Sequence, residues 1–467
     1  MVPPIVFWFR RDLRCRDQPA LARAITDARS NGAEIAALFV LDSRLLRTTG
    51  SNRTWLTLES VRALRSSGIP VFVRSGKPES AVTEFARSIG SPDVRASDDF
   101  TPYGRQRDLR VSQALAATGS TLALEDGPYV VTPGTVRKQD DTPFKVFTPF
   151  NRVWAIAASG ITPSLSVDPR STPWLRMDQS ESFDAPFKPS AIVCPEPTEE
   201  AANELLKQFV ENRLETYDSE RDRPDLDASS RLSPYLKVGL IHPRTVLAAV
   251  DASAAASTNG ARIFRNEICW REFYADVLFH RPDSRVADFA QSMETMSYDT
   301  GPLADERFEA WASGRTGYPF IDAGMRQLRT EGWMHNRVRM AAASFLVKDL
   351  HVDWRRGAKH FLDHRFDGDI ASNQHGWQWT AGTGTDAAPY FRIFNPVSQG
   401  LRFDPQGTYV RRYVSELADV GKNVHEPWLS DAVGSLFGQL GTYPSPIVLH
   451  AEERDEALRR YRETRPA

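Results

Sequence analysis

Cysteine is scarce: Cys15, Cys194 and Cys269 are the only three among 467 residues, and they show neither pairing nor metal-ligand spacing. A disulfide framework is therefore not expected; inert thiols in a reducing compartment are. No apolar run is long enough to cross a bilayer. The first residues, MVPPIVFWFRRDLR, pass from apolar to charged, the reverse of a signal peptide's order, so a cytoplasmic protein with no membrane contact is expected. An excess of one charge is also missing. The net charge is −2, so any contact with a polyanion must come from a local patch rather than the overall field. No phosphate-binding glycine fingerprint follows the first apolar run. The one formal G-x-G-x-x-A match, 382–387, follows a tryptophan-rich loop and reads as chance. No metal cluster and no nucleophile–base triad stand out.

What is present is the composition of a globular chain, 41% hydrophobic and 25% charged. Its length exceeds one ordinary core and calls for two domains with a long connector. Up to about residue 128, β-branched and aromatic runs alternate with helical spacing. The strands are Ile5–Phe9, Glu34–Leu41, Ile69–Val73, Asp93–Ala96 and Thr121–Leu124. The helices are Pro19–Ser30, Thr54–Ser66, Glu79–Ile89 and Arg105–Ala117. That order predicts an α/β, doubly wound parallel sheet with ligand loops at its carboxyl ends, around Phe9–Arg14 and Asp42–Arg44. From Pro128 to Pro195 the periodicity fades and Pro, Ser and Thr accumulate, which reads as a surface connector. Beyond Glu199 the period is near 3.6 throughout. The predicted division is 1–128 sheet domain, 129–195 linker and 196–467 all-α domain.

The densest chemistry is 367–384, DGDIASNQHGWQWTAGTG. Asp367, Asp369, Asn373, Trp377 and Trp379 crowd beside Gly368 and other small residues, a composition suited to a flat aromatic ligand. In 217–239, Ser229, Ser230, Arg231 and Ser233 gather hydroxyls and a guanidinium where a helix starts. That is either an anion site or ordinary serine capping. In RNEICWREFY, Glu267, Trp270, Arg271 and Tyr274 share one helical face, as a pocket wall or as a solvated stripe. In GWMHNRVRM, Asn336 and Met340 share a face beside Arg337, and Arg392, Asn395 and Gln399 lie among aromatics further on. Arginines and amides interleaved with rings are what phosphate positioning and base stacking require.

Taken together, IVFWFRRDLR, SRLSPYL, EICWREFY, GWMHNRVRM, DGDIASNQHGWQW and TGTDAAPYFRIFNP resemble the DNA photolyase and cryptochrome family over essentially the whole chain. The nearest likeness is to its microbial class I branch, which repairs cyclobutane pyrimidine dimers. The resemblance implies a bent FAD, active when reduced, in the helical domain. Tyr217 and the run Ser229, Ser230, Arg231, Leu232 and Ser233 would hold its phosphates. Asp367, Gly368 and Asp369 would hold the adenine side and ribose, and Asn373 would sit near flavin N5. Glu267, Asn336, Arg337 and Met340 would meet the flipped-out lesion between Trp270 and Trp379, with Arg221, Arg392 and Gln399 near the DNA backbone. The implied chemistry is photoinduced electron transfer, with Trp377 and Trp354 returning electrons to oxidised flavin. The outermost position of that relay falls near Gly301, and Tyr298 is the one aromatic close by. An antenna chromophore, deazaflavin or folate, is implied in the sheet domain. The loop Phe100–Arg107 has no carboxylate of the kind folate binders use. A monomer acting on dimer-containing DNA without an obligate protein partner is expected. A cryptochrome photosensor is one alternative, disfavoured by the absence of a long tail after Arg459-Arg460. A (6-4) photolyase is the other, disfavoured by Asn336 following His335.

Overall fold

The runs IVFWF and IAALFVLD are apolar without alternation, the pattern of strands covered on both faces. A computed structural model describes residues 2–164, 167–177, 188–385, 391–429 and 443–464. In it these runs are β1 (Ile5–Phe9) and β2 (Ile35–Asp42), joined by β3 (Phe72–Gly76), β4 (Asp93–Ser97) and β5 (Thr121–Glu125). All pair in parallel, in the order β3-β2-β1-β4-β5. The order reverses between β1 and β4, and ligands of such sheets bind at the carboxyl ends beside such a reversal. Between and after the strands come α1 (Pro19–Asn31), α2 (Ser43–Leu46), α3 (Ser51–Ser66), α4 (Pro78–Ser88) and α5 (Pro102–Ala116). The third strand starts later than the expected Ile69, because the Arg65 guanidinium takes the Val71 carbonyl at 2.7 and 2.9 Å.

The connector is not a bare surface run. It carries α6 (Phe147–Ala158), which buries Phe147, Phe150 and Trp154. The apolar spacing of these three lay hidden among the flanking Pro, Ser and Thr. Helices α7 (Glu199–Asn212), α8 (Tyr217–Glu220), α9 (Ser233–Val238), α10 (Pro243–Asp251) and α11 (Asn259–His280) follow. Within the sheet's unit, α6 packs on α11. The buried Glu272 carboxylate of α11 receives the Trp154 indole N–H at 2.6 Å and the Val130 and Val131 amides at 2.5 and 3.0 Å. Burial raises its pKa, and these three donors offset part of that cost.

The remaining helices are α12 (Pro302–Ser313), α13 (Pro319–Glu331), α14 (Asn336–Lys348), α15 (Trp354–His364), α16 (Ile370–Ala381), α17 (Pro396–Phe403), α18 (Thr408–Tyr413) and a final helix, His450–Glu463. Their core gathers Trp311, Phe345, Trp354, Phe361, Trp377 and Tyr409. Contacts divide the chain into two units. One is Met1–Pro189, Pro195–Glu215 and Ser230–Pro282. The other is Ser190–Cys194, Thr216–Ser229 and Asp283–Ala467. By contacts α7 and α9–α11 belong with the sheet, whereas periodicity alone groups them with the other helices after 196.

Candidate functional site

In the helical unit α16 begins at Asp369, whose carboxylate accepts the Ala371 and Ser372 amides at 3.1 and 3.2 Å and so caps the helix. Asp367, two residues earlier, is buried between two guanidiniums, Arg365 Nε at 2.6 Å and Arg339 at 2.8 Å. Burial lowers the Arg339 pKa to about 10; the neighbouring Arg365 adds to the fall and Asp367 opposes it. Arg365 also donates to Asn373 Oδ1 at 3.1 Å. The Asn373 amide nitrogen donates to Ala358 O and Gln374 Oε1 at 3.0 and 2.9 Å. Both Asn373 donors are therefore committed, and one lone pair remains on its oxygen. This is a fixed polar surface of three side chains from 365–373 and one from α14. Its neutral amide and paired charges can hold a ring edge without adding net negative charge.

An aromatic seam lies beside it. Trp377 meets Trp311 edge to face at 6.0 Å and Phe361 at 4.9 Å. It fits there because position 357 is glycine: a Cβ would fall 2.2 Å from the Trp377 ring. Trp354 is one turn before Gly357 on the same face of α15, and its indole N–H donates to the buried Asp288 at 2.8 Å. The Trp377 indole nitrogen and the hydroxyls of Ser229, Thr383 and Thr385 are buried without a hydrogen-bond partner among the described residues. Unmatched buried donors in one unit are what a polar ligand's site leaves behind when the protein is considered alone.

On α14, Asn336 and Met340 share a face, with amide nitrogen and sulfur 3.9 Å apart. Asn336 is exposed, and His335 before it caps the helix by accepting the Arg337 amide at 3.2 Å. Burial pushes His335 down to about 4, so it stays neutral and can accept. Arg337 pairs with Asp222 at 2.7 Å and lies 4.5 Å over the Phe403 ring. Arg221 lies over Tyr217 at 5.5 Å. Arg392 is exposed, Trp379 and Gln399 are half-buried, and the stretch 386–390 lies outside the described residues.

The other expected residues stand in the sheet's unit. Ser230 accepts the Leu232 amide at 3.5 Å, Arg231 takes a left-handed turn with φ 49°, and no side chain caps α9 at Ser233. The serine-capping alternative therefore fails for that helix. Glu267 and Trp270 are half-buried on α11. One face of Trp270 is covered by Phe147, stacked at 3.7 Å. Arg271, expected on the same pocket wall, instead donates to Pro128 O at 2.8 Å and sits over Tyr129. At the reversal point of the sheet, Arg10, Arg11, Asp12, Arg14, Ser97, Asp98 and Asp99 line a cavity of about 10 Å³. Salt bridges Arg10–Asp108 and Arg107–Asp99, at 2.6 and 3.3 Å, brace this region.

Comparison with known proteins decides what this arrangement belongs to. A model of the FAD binding domain of DNA photolyase matches residues 264–463, and one of DNA photolyase matches 5–169. A deoxyribodipyrimidine photo-lyase of Vibrio cholerae is 36% identical, covering 97% of this chain and 98% of its own. The chain belongs to the DNA photolyase and cryptochrome family. Its fold agrees with other members. A bacterial class III photolyase from Agrobacterium tumefaciens superposes with TM-score 0.90 at 34% identity, covering 99% of this chain and 98% of that one. A cryptochrome of Synechocystis superposes with TM-score 0.87 at 27%, covering 98% and 99%.

Within this photolyase-family site, sequence reasoning missed Arg339, Arg365 and Asp288. Arg365 carried a signal, lying two residues before Asp367 in the dense motif. Arg339 stood inside GWMHNRVRM but 28 residues from Asp367, and Asp288 carried no signal, being 66 residues from Trp354. The loop 100–107 has no carboxylate within it; Asp98, Asp99 and Asp108 flank it. No helix is long and apolar enough to cross a membrane, and no group of three metal-ligating side chains occurs, among the described residues.

Proposed function

We propose that the chain reverses cyclobutane pyrimidine dimers in DNA with light, using reduced FAD. The observation that carries this reading is the buried cluster Arg339–Asp367–Arg365–Asn373 beside Trp377, whose buried indole nitrogen has no hydrogen-bond partner among the described residues, an arrangement that fits a polar aromatic cofactor better than a core. When bound, reduced FAD supplies a light-excitable one-electron donor. Tyr217, Ser229, Ser230, Arg231, Leu232 and Ser233 hold phosphates, and Asp367, Gly368 and Asp369 orient the adenine side and ribose. Asn373 offers its remaining lone pair and adds no charge. Glu267 receives the lesion's N–H edge, and Asn336, Met340 and Arg337 contact the extruded dimer, with Trp270 and Trp379 as aromatic walls. A damaged, poorly paired base costs less to flip than an intact one, so selectivity begins in the DNA. Arg221, Arg392 and Gln399 lie near the backbone, which makes affinity fall with salt. Trp377 and Trp354 carry electrons inward when the cofactor has been oxidised; a Trp354→Phe protein that photoreduces as fast as the parent refutes this. The rim of the sheet, at Arg11, Asp98 and Asp99, takes an antenna, deazaflavin or folate. The protein acts as a cytoplasmic monomer without an obligate protein partner.

A photosensor is the second reading, favoured by the likeness to the Synechocystis cryptochrome. One assay separates the readings. The reduced protein is illuminated with oligonucleotides carrying either a cyclobutane dimer or a (6-4) photoproduct, and restored thymines are counted. Repair of the first alone is expected. Repair of neither moves the assignment to the sensor, and repair of the second alone to a (6-4) photolyase.

A further inference from the structure

Helix α14 carries a row of residues four apart, Asn336, Met340, Ser344 and Lys348. Its first half holds the pair assigned above to the lesion. Its second half grips another part of the chain. Ser344 Oγ accepts the Phe394 amide at 3.3 Å. The Lys348 ammonium donates to the Arg392 carbonyl and lies 4.1 Å from the centre of the Phe391 ring. The segment 391–395, which has no regular structure, is thus held twice by one helix. Phe391 is braced from the other side as well. It stacks on Tyr461 of the final helix at 4.3 Å with planes 12° apart, and it closes on Gly382 at the end of α16, where a Cβ would fall 2.9 Å from the ring.

Lysine is a costly residue for this grip. Lys348 is 3% exposed and has no ion-pair partner among the described residues. The adjacent Asp349 is engaged elsewhere, by the His450 ring at 2.5 Å. Burial lowers the Lys348 pKa to about 7, and Asp349 opposes the fall. An ammonium withdrawn from water with one carbonyl and one ring face costs stability, and an apolar side chain of similar volume avoids that cost. Ending α14 does not require the charge, because the Asp349 amide already closes the helix on the Phe345 carbonyl. What the ammonium does fix is the main chain of Arg392, an exposed residue. A long side chain on a fixed main chain loses less freedom when it meets a phosphate than one on a loose loop.

Resting on the repair reading above, we infer that Lys348 is a positioning residue for damaged DNA. By holding the Arg392 carbonyl, it aims that arginine at a backbone phosphate, while Asn336 and Met340, earlier in the same row, meet the lesion. The row makes lesion and backbone contacts parts of one rigid element, so their separation is set by the helix and not by the loop.

The test uses the full-length flavin-loaded protein and a duplex oligonucleotide carrying one cyclobutane dimer, with affinity read in the dark by fluorescence anisotropy across a range of salt. Loss of one phosphate contact weakens binding about eightfold at about 0.1 M salt. Arg392→Met is expected to show that loss and Lys348→Met most of it, with a flatter salt plot in both. The double variant is expected to bind no more weakly than Arg392→Met alone, because the lysine acts through the arginine. Under light, the Lys348→Met defect is expected in KM and not in kcat, and its urea unfolding midpoint is expected to match or exceed the parent's. A merely structural lysine gives the opposite pattern: a lower midpoint, and weaker binding in the Arg392→Met background too. Parental affinity in Lys348→Met or in Arg392→Met overturns the proposal, as do losses that multiply in the double variant. Where Lys348→Met does not fold, Phe391→Leu loosens the same segment and carries the same affinity expectations. A parent that repairs no dimer counts against the repair reading, whereas normal repair by the parent beside unchanged affinity in Lys348→Met counts against Lys348 alone.

Discussion

Gly357→Ala sets two known effects against each other, and the structure decides the sign. Alanine in the middle of α15 should gain about 1 kcal/mol over glycine in backbone propensity. Its Cβ, however, would lie 2.2 Å from Trp377 Cη2, 2.6 Å from Cζ3 and 2.5 Å from Leu346 Cδ2. To reach ordinary contact at 3.4 Å the indole must retreat by about 1.2 Å. It has little room, because Trp311 and Phe361 flank it at 6.0 and 4.9 Å and it is only 3% exposed. Overpacking of this kind costs about 1–3 kcal/mol and offsets or outweighs the propensity gain, leaving a net loss of up to about 2 kcal/mol. Gly376→Ala on α16 is the control, since its Cβ would meet nothing within 4 Å. Urea unfolding midpoints should fall for the first variant and hold or rise for the second. Flavin photoreduction should slow only in the first, as Trp377 is displaced. A Gly357→Ala protein more stable than the parent by about 1 kcal/mol would refute the reasoning, because no packing penalty could then exist at that seam.

Three further outcomes are expected. Burial raises Asp276 to about 6 from 3.8, so the folded protein keeps this proton in a range where the unfolded chain has released it. Stability is therefore lost as pH rises from about 4 to 6, by at most about 3 kcal/mol, and stays lost above. Asp276→Asn, which still accepts the Gly134 amide, should exceed the parent in urea midpoint at pH 8 and lose that advantage at pH 4. Asp367→Asn removes the charge between Arg339 and Arg365, and should cost about 3–5 kcal/mol in unfolding and lower the flavin content of the purified protein. Arg337→Met and Arg392→Met should each flatten the plot of log affinity for dimer-containing DNA against log salt by about one unit; an unchanged slope would remove that residue from the DNA surface.

The sheet was readable from IVFWF and IAALFVLD because a strand covered on both faces needs apolar residues at every position, whatever it pairs with. The cap of α16 is local to DGDIASN, since Asp369 reaches amides only two and three residues on. Helix α6 escaped notice because its buried face, Phe147, Phe150 and Trp154, is brief and set in a proline-rich stretch. The partition at contacts escaped too, since α9–α11 have the same period as the helices of the other unit.

Residue order alone was enough for whatever depends on neighbours two to four positions away: strands, caps, the shared face of Asn336 and Met340, and the motifs that mark the family. Packing alone assigned Arg339 to Asp367, Phe147 to Trp270 and Asp288 to Trp354. A buried charge or indole takes its partner from whichever segment chain closure brings within about 3 Å, and no periodicity in the intervening residues encodes that meeting.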